Sequence, residues 1–131
     1  MSLPRTLALM LAVVPSLAVA APAIGAESLS GSWSGGGKVF YGDTREKARC
    51  RARFSKTGGS TYSMSASCAT PSGRVDQSGS VHAVGGTRFA GSFYNSQYGV
   101  SGSISISVSG GSMSVSLSGD GGGGSLRLRR N

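Results

Sequence analysis

The stretch that decides the fold is residues 45–68, REKARCRARFSKTGGSTYSMSASC. Side chains of a β-strand alternate between two faces, so every second residue of a strand belongs to the same face. The first half of this stretch has a small, apolar face and a basic one. These are Ala48, Cys50, Ala52 and Phe54 on the apolar side, and Arg45, Lys47, Arg49, Arg51 and Arg53 on the basic side. A turn at residues 57–60 leads into a second alternating strand, so the stretch predicts a β-hairpin.

A single register of this hairpin accounts for both its apolar face and its cysteines. The pairs in that register are Phe54 with Met64, Ala52 with Ala66, and Cys50 with Cys68. The chain contains 2 cysteines in total. We therefore predict that Cys50 and Cys68 form one disulfide bond across the hairpin.

Alternation with a period of two continues through the rest of the chain. From Ser30 onward no ten-residue stretch has the periodicity of an amphipathic helix. We predict eight β-strands, at 31–41, 45–56, 61–68, 74–84, 88–94, 100–109, 112–118 and 125–130. In the sixth and seventh strands apolar residues alternate with serine around Gly110-Gly111, a two-residue turn that accepts positive φ at both positions.

The same alternation predicts which side chains point inward. Beyond the opening hairpin they are Trp33, Val39, Tyr41, Val75, Gln77, Gly79, Val81, Ala83, Phe89, Gly91, Phe93, Val100, Gly102, Ile104, Ile106, Val108, Met113, Val115, Leu117, Leu126 and Leu128. The first two strands are expected to place Trp33 beside Ala52. Residues 94–98 are predicted to form a polar turn flanked by two tyrosines, and residues 119–124 a flexible loop.

The predicted fold class is all-β, an eight-stranded antiparallel up-and-down meander that closes into a small barrel. Eight strands with one apolar face are enough for closure, which pairs the last strand with the first and removes the sheet edges. The alternative is an outer-membrane barrel with its apolar face toward lipid. Many alanines and glycines, the lack of aromatic girdles and the basic Arg129-Arg130-Asn131 end favour the first interpretation.

The first 20 residues have the pattern of a secretory signal peptide. A basic segment ends at Arg5, an apolar segment follows, and Ala18-Val19-Ala20 resembles a cleavage site. Cleavage after Ala23 or Ala26 is an alternative. We expect residues 21–30 to be a flexible N-terminal segment, residues 31–131 to be the β-barrel domain, and no transmembrane segment to remain after cleavage. The protein is then exported, to the periplasm or the extracellular medium, where a disulfide is stable.

The residues of known catalytic constellations are sparse. His82 is the one histidine and is predicted to face solvent, so no serine-histidine-acid site is expected. The acidic residues are Glu27, Asp43, Glu46, Asp76 and Asp120. Only Glu46 and Asp76 fall within strands, on different faces, which does not suit a carboxylate pair. We expect no enzyme activity, no metal site and no cofactor.

Gly31-Ser32-Trp33 at the head of the first strand, seven further meander strands and a basic last strand resemble the calycin superfamily. That superfamily includes lipocalins, avidins and small secreted barrel inhibitors of bacterial metalloproteases. The resemblance implies that Trp33 closes one end of the barrel and that Arg127 or Arg129 packs across its ring. The Thr-Asp-Tyr motif of lipocalins and the biotin-binding residues of avidins have no match here, so neither ligand class is expected. The inhibitors act through an N-terminal segment that does not align with residues 21–29.

The barrel interior is one candidate ligand site. Aromatic and polar side chains predicted to line it are Trp33, Tyr41, Tyr62, Gln77, Phe89 and Phe93. Small residues, among them Ala48, Ala66, Gly91 and Gly102, are expected to leave space between them. The alternative is an ordinary packed core.

The second candidate site is a basic surface. Closure makes the first, second and last strands neighbours, so Arg49, Arg51, Arg53, Arg127 and Arg129 should share one wall that binds phosphate or carboxylate groups. The formal net charge of +8 also favours anionic partners. No exposed aromatic residue is expected among these arginines, which disfavours nucleic acid.

These observations predict an exported, non-enzymatic binding module whose partner is an envelope or extracellular anion, such as an anionic glycolipid or polysaccharide. The alternatives are a secreted inhibitor of a protease and a carrier of a small apolar ligand in the interior.

Overall fold

Eight β-strands form the described part of the chain, residues 28–131 of a computed structural model. They are β1 (Gly31–Tyr41), β2 (Thr44–Lys56), β3 (Thr61–Thr70), β4 (Gly73–Gly85), β5 (Arg88–Asn95), β6 (Val100–Ser109), β7 (Ser112–Gly119) and β8 (Gly122–Arg130). Each strand pairs antiparallel with the next, and β8 pairs with β1. The predicted all-β closed meander is confirmed. The predicted signal peptide and residues 21–27 lie outside the described residues.

The hairpin of β2 and β3 has the predicted register. Cys50 lies opposite Cys68, and Phe54 lies opposite Met64. The two cysteines are joined by a disulfide with an S–S distance of 2.04 Å, and both are buried. On the other side of β2, Trp33 pairs with Ala52 as expected, so the large indole ring stands beside a small neighbour.

The core fills the inside of the barrel. Trp33, Phe54, Phe89 and Ile104 are among its largest fully buried side chains, and Leu126 and Leu128 complete it from β8. The outward positions carry mainly serine and arginine. This orientation is the reverse of the one that the membrane-barrel alternative requires. Within residues 28–131 there is no helix long and apolar enough to span a membrane.

Several inward glycines are required by the close approach of neighbouring strands. A Cβ atom on Gly91 would collide with the carbonyl oxygen of Ser80, and one on Gly102 with that of Ser118. Strands of a small barrel bend and coil sharply, and glycine permits such bends. The expectation that Gly91 and Gly102 leave space for a ligand is therefore wrong, because backbone occupies that space.

Two predicted loops are shorter than expected. The segment 119–124 is not a flexible loop: only Asp120 and Gly121 form the turn, and β8 already begins at Gly122. The glycines can pair as strand because their backbone bonds to β1 and β7, while the Phe40 ring lies over Gly123. Similarly, β5 extends through Asn95, which is 3% exposed and not part of an exposed tip. At the predicted Gly110-Gly111 turn, positive φ occurs at Gly110 alone.

Candidate functional site

The register places all five predicted anion-binding arginines on one outer surface. β1 runs between β2 and β8, and its outward positions there are small. The flanking arginines are Arg51 and Arg129 beside Ser34, Arg49 and Arg127 beside Gly36, and Arg53 beside Ser32. We call Arg49, Arg51, Arg53, Arg127 and Arg129 the basic wall. Its two columns are separated by two strand spacings, about 10 Å at the backbone.

The basic wall borders a surface depression of ≈620 Å³, which is lined by Ser34 and Gly35 of β1 and by the wall residues Arg49, Arg51 and Arg129. Arg74 of β4 lines the same depression, because it lies opposite Ala69, which in turn lies opposite Arg49. Sequence reasoning places Arg74 outward but does not connect it with the wall. Arg74 is far from Arg49 in the sequence, and only the registers of β2 with β3 and of β3 with β4 show that the two residues are neighbours on the surface.

None of the arginines of the basic wall forms an ion pair with an acidic residue of the described part of the chain. Within residues 28–131 the ion pair present joins Arg74 Nε to Asp76 Oδ1 at 2.9 Å, and none of the five wall residues takes part in one. Neighbouring arginines on the same face of a strand stand only about 7 Å apart, so the positive charges within each column repel one another. This arrangement leaves the guanidinium donors free for an external anion.

A second depression, of ≈510 Å³, extends from β1 across β2, β3 and β4 to β5, and Ser96 and Asn131 also line it. We call it the serine groove. The outward side chains on which the argument below depends are Arg51, Arg53, Ser65, Ser67, Ser78 and Tyr94. Tyr94 is 52% exposed. Tyr94 does not stand among the arginines, because Ser65 and Ser78 lie between it and Arg53, but it lines the same depression. The sequence pattern assigns Tyr94 to a turn and does not show its register with β4.

One end of the serine groove is held by side-chain hydrogen bonds. The backbone N–H of Asp76 donates to Gln97 Oε1 (2.8 Å), and Gln97 Nε2 donates to the Arg74 carbonyl oxygen (3.2 Å). Asn95 Oδ1 accepts from the backbone N–H groups of Gln97 and Tyr98. These bonds fix the β5–β6 turn to β4. A hydrogen bond from Arg74 lowers the pKa of the Asp76 carboxyl, which keeps it ionised near neutral pH.

Trp33 closes one end of the barrel, as the resemblance implies, but a different arginine covers it. The guanidinium of Arg130 lies 4.3 Å from the centre of the indole ring, and neither Arg127 nor Arg129 takes this role. The reason is parity: Trp33 points inward and pairs with Arg130, while Arg127 and Arg129 point outward.

Arg130 also holds the residues that precede β1. Its Nη1 donates to the Ser30 carbonyl oxygen (2.8 Å) and its Nη2 to that of Ser28 (2.6 Å), while Trp33 Nε1 donates to the Leu29 carbonyl oxygen. Leu29 is completely buried. Residues 28–30, which we expected to be flexible, are thus bound to the barrel end.

The opposite end of the barrel is closed by a polar and aromatic cluster. The rings of Tyr41 and Tyr98 stack with centres 4.7 Å apart. Glu46 accepts hydrogen bonds from Tyr41 and Ser72. Burial raises the pKa of Tyr41, and the hydrogen bond from Ser72 lowers the pKa of Glu46. Tyr41 is inward but half-buried, so it belongs to the rim rather than to the deep interior.

The other interior candidates do not surround one ligand-sized space. Trp33, Tyr62 and Phe89 lie toward one end, with the last two rings in edge contact (centres 5.8 Å apart), and Phe93 lies toward the other. Gln77 borders two small interior cavities, of ≈20 and ≈10 Å³. Such volumes hold about one water molecule each, whereas ligand pockets are about 300–1,000 Å³.

The residues considered for catalysis are separated. His82 is exposed, Glu46 points into one end of the barrel, and Asp76 lies on the outer surface. Among residues 28–131 no three His, Cys, Asp or Glu side chains are grouped as metal ligands would be. The arrangement offers surface charge and hydroxyl groups, which suit binding.

The barrel is similar to solved structures of designed proteins. It superposes on a redesigned β-barrel, mFAP1, bound to DFHBI, with a TM-score of 0.66 and 15% identity over 78% of this chain and 94% of the other. For the related mFAP0 the TM-score is 0.67, with 15% identity over 78% and 98% of the two chains. A de novo designed fluorescence-activating barrel gives 0.60 at 18% identity, covering 78% and 93%. At these identities the similarity establishes the eight-stranded fold alone. No protein-family model and no curated protein sequence matches the chain.

Proposed function

We propose that this protein is a non-enzymatic binding module whose basic wall binds an anionic partner. The observation that carries the proposal is the pair of arginine columns beside the small outward residues of β1, none of which forms an ion pair within residues 28–131. A planar guanidinium binds carboxylate, sulfate or phosphate groups through two parallel hydrogen bonds. Two columns about 10 Å apart match an extended anion better than a single small one.

The placement of arginine supports binding over mere solubility. The outward positions of β3, β6 and β7 are almost all serine, so an uncharged residue is common at the outward positions of this barrel. Solubility would be served equally by charges spread over the barrel. Concentrating them on β2 and β8, which closure brings to either side of β1, costs self-repulsion that a bound anion would relieve.

We further propose that the protein is exported and belongs among the calycin-like barrels. Residues 1–20 have the pattern of a signal peptide, and the Cys50–Cys68 disulfide suits the periplasm or the extracellular medium. The buried Trp33 beneath Arg130 supports the calycin resemblance. The partner is then an envelope or extracellular anion, such as an anionic glycolipid or polysaccharide.

The first prediction concerns the basic wall. Replacing Arg49, Arg51 and Arg53 with serine should abolish retention of the purified protein on immobilised heparin and leave its circular dichroism spectrum unchanged, because all three side chains are exposed. Retention of the parent should fall steeply as salt is added, since exposed charges are screened beyond about 8–10 Å at physiological ionic strength.

A matched control removes the same charge elsewhere. Arg45, Lys56 and Arg88 are also exposed and lie outside the basic wall. Their joint replacement by serine should weaken retention only slightly, through the lower net charge. An equal loss of retention in both triple variants would show that the basic wall acts only through the net charge of the protein. Unchanged retention of the first variant would overturn the proposal.

A further inference from the structure

The serine groove has a polar floor between a basic side and an aromatic side. Through the strand registers, Arg53 of β2, Ser65 of β3, Ser78 of β4 and Tyr94 of β5 stand side by side. The row spans three strand spacings, about 14 Å along the sheet. Serine side chains are short and offer both donors and acceptors, so they form a floor that bonds to hydroxyl groups.

Tyr94 supplies a free aromatic face at one side of this floor. Its outward neighbours on β5 and β6, Ser92 and Ser101, are small. The stacked or edge-to-face aromatic pairs of residues 28–131 are Tyr41 with Tyr98 and Tyr62 with Phe89, so the Tyr94 ring is not stacked on another ring there. An exposed aromatic ring beside hydroxyl groups is amphipathic in the way a sugar ring is, with an apolar face and polar edges.

Asp76 distinguishes the groove from a plain polyanion site. Asp76 lines the same groove as Arg51, Arg53 and Arg74, and its carboxylate accepts a hydrogen bond from Arg74. An ionised carboxylate repels phosphate and sulfate but accepts hydrogen bonds from hydroxyl groups. A ligand that carries both hydroxyl groups and negative charge uses all of these side chains, whereas a ligand without hydroxyl groups uses only the arginines.

The groove is also organised before a ligand arrives. Tyr94 lies within β5, and the turn that follows is tied to β4 by Gln97 and capped by Asn95. Ordering of loops on binding costs free energy, and a fixed groove avoids that cost. Its volume of ≈510 Å³ lies within the usual range of small-ligand sites.

We propose that the serine groove binds an anionic saccharide. The sugar ring packs on Tyr94, its carboxylate, sulfate or phosphate group pairs with Arg51 and Arg53, and its hydroxyl groups bond to Ser78 and Asp76. The proposal rests on the proposed function, because Arg51 and Arg53 belong to both sites. It goes further by making a sugar, and not charge alone, the feature that is recognised.

The second prediction tests this with two probes of high negative charge. A heparin-derived hexasaccharide carries sugar rings, whereas inorganic polyphosphate carries none. Tyr94→Ala should weaken hexasaccharide binding, measured by titration calorimetry, by about tenfold, the usual effect of removing an aromatic anchor. Polyphosphate binding should not change, because Tyr94 is uncharged. Tyr94→Phe retains the ring and should bind the hexasaccharide like the parent.

The outcomes separate this inference from the function on which it rests. If Tyr94→Ala binds the hexasaccharide, the polyphosphate and the glycolipid vesicles described next like the parent, the saccharide site is overturned and the basic wall remains. If the parent binds none of the three, both proposals fail. To distinguish the source of the saccharide, the same variants are tested on phosphatidylcholine vesicles with and without a sulfated galactolipid. Tyr94-dependent binding to free hexasaccharide supports a polysaccharide, and Tyr94-dependent binding to the glycolipid vesicles alone supports a lipid headgroup.

Discussion

At the scale of single residues, Arg130 connects three parts of the molecule. Its guanidinium covers the Trp33 ring and donates hydrogen bonds to the carbonyl oxygens of Ser28 and Ser30. Arginine suits this position because its planar group can stack on a ring and donate at its edge simultaneously. The segment before β1, the indole and the last strand are thereby joined at one barrel end.

The third prediction follows from that geometry. Arg130→Ala should lower the free energy of unfolding by about 1–2 kcal/mol, through loss of the cation–π contact and two charged hydrogen bonds. Urea unfolding can be followed through the fluorescence of Trp33, the only tryptophan of the chain.

Arg129 provides the comparison for this experiment. It is the preceding residue on β8 and points outward, so Arg129→Ala should change stability by less than about 0.5 kcal/mol. Equal effects of the two substitutions would show that the contacts of Arg130 do not matter for stability.

At the scale of strands, the sequence predicts registers well where side chains alternate. Phe54, Cys50 and Trp33 each have one partner that satisfies burial, and a shift by one residue would turn every one of them outward. A run of glycines has no alternating side chains, so the pattern does not predict that β8 begins at Gly122. The pattern also gives no information on which strands share a surface depression, so it does not predict that Tyr94 and Arg53 line the same groove.

Inward glycines are the strand feature that sequence reasoning misread. Position 91 lies on the core face, where a small residue can mean either free space or close backbone. The structure shows the second, because the Ser80 carbonyl occupies the place of a Cβ atom. A Gly in a sequence pattern does not distinguish these cases; the curvature of the neighbouring strand does.

The fourth prediction measures this close approach. Gly91→Ala should destabilise the barrel by about 3 kcal/mol, as overpacking against rigid backbone does. Gly111→Ala serves as the reference, since a Cβ there meets nothing within 4 Å. Thermal unfolding followed by circular dichroism should show a lower midpoint for the first variant and an unchanged one for the second. A stable Gly91→Ala variant would mean that β4 and β5 can move apart.

At the scale of the whole molecule, the inner face of the sheet forms the core and the outer face carries the candidate binding sites. In residues 28–131 packed side chains fill the interior, and the two cavities beside Gln77 measure ≈20 and ≈10 Å³. The outer surface carries the depressions, the arginines and the exposed tyrosine. Among the designed barrels of similar fold, mFAP1 is bound to DFHBI. Here, the proposed ligand lies outside the barrel and is an anionic saccharide, so the shared shape implies no shared use.

Closure of the sheet has a consequence for the order of the chain itself. β8 lies beside β1, and the backbone N–H of Asn131 donates to the carbonyl oxygen of Ser32 at 3.0 Å. The chain can therefore be rejoined by a short glycine-serine linker from Asn131 to Ser28 and reopened between Gly110 and Gly111, which are both exposed. As the fifth prediction, this circular permutant should fold with the Trp33 emission of the parent, and a permutant that stays unfolded would contradict it. In a closed barrel every strand has two neighbours, so the position of the chain ends does not determine which strands pair.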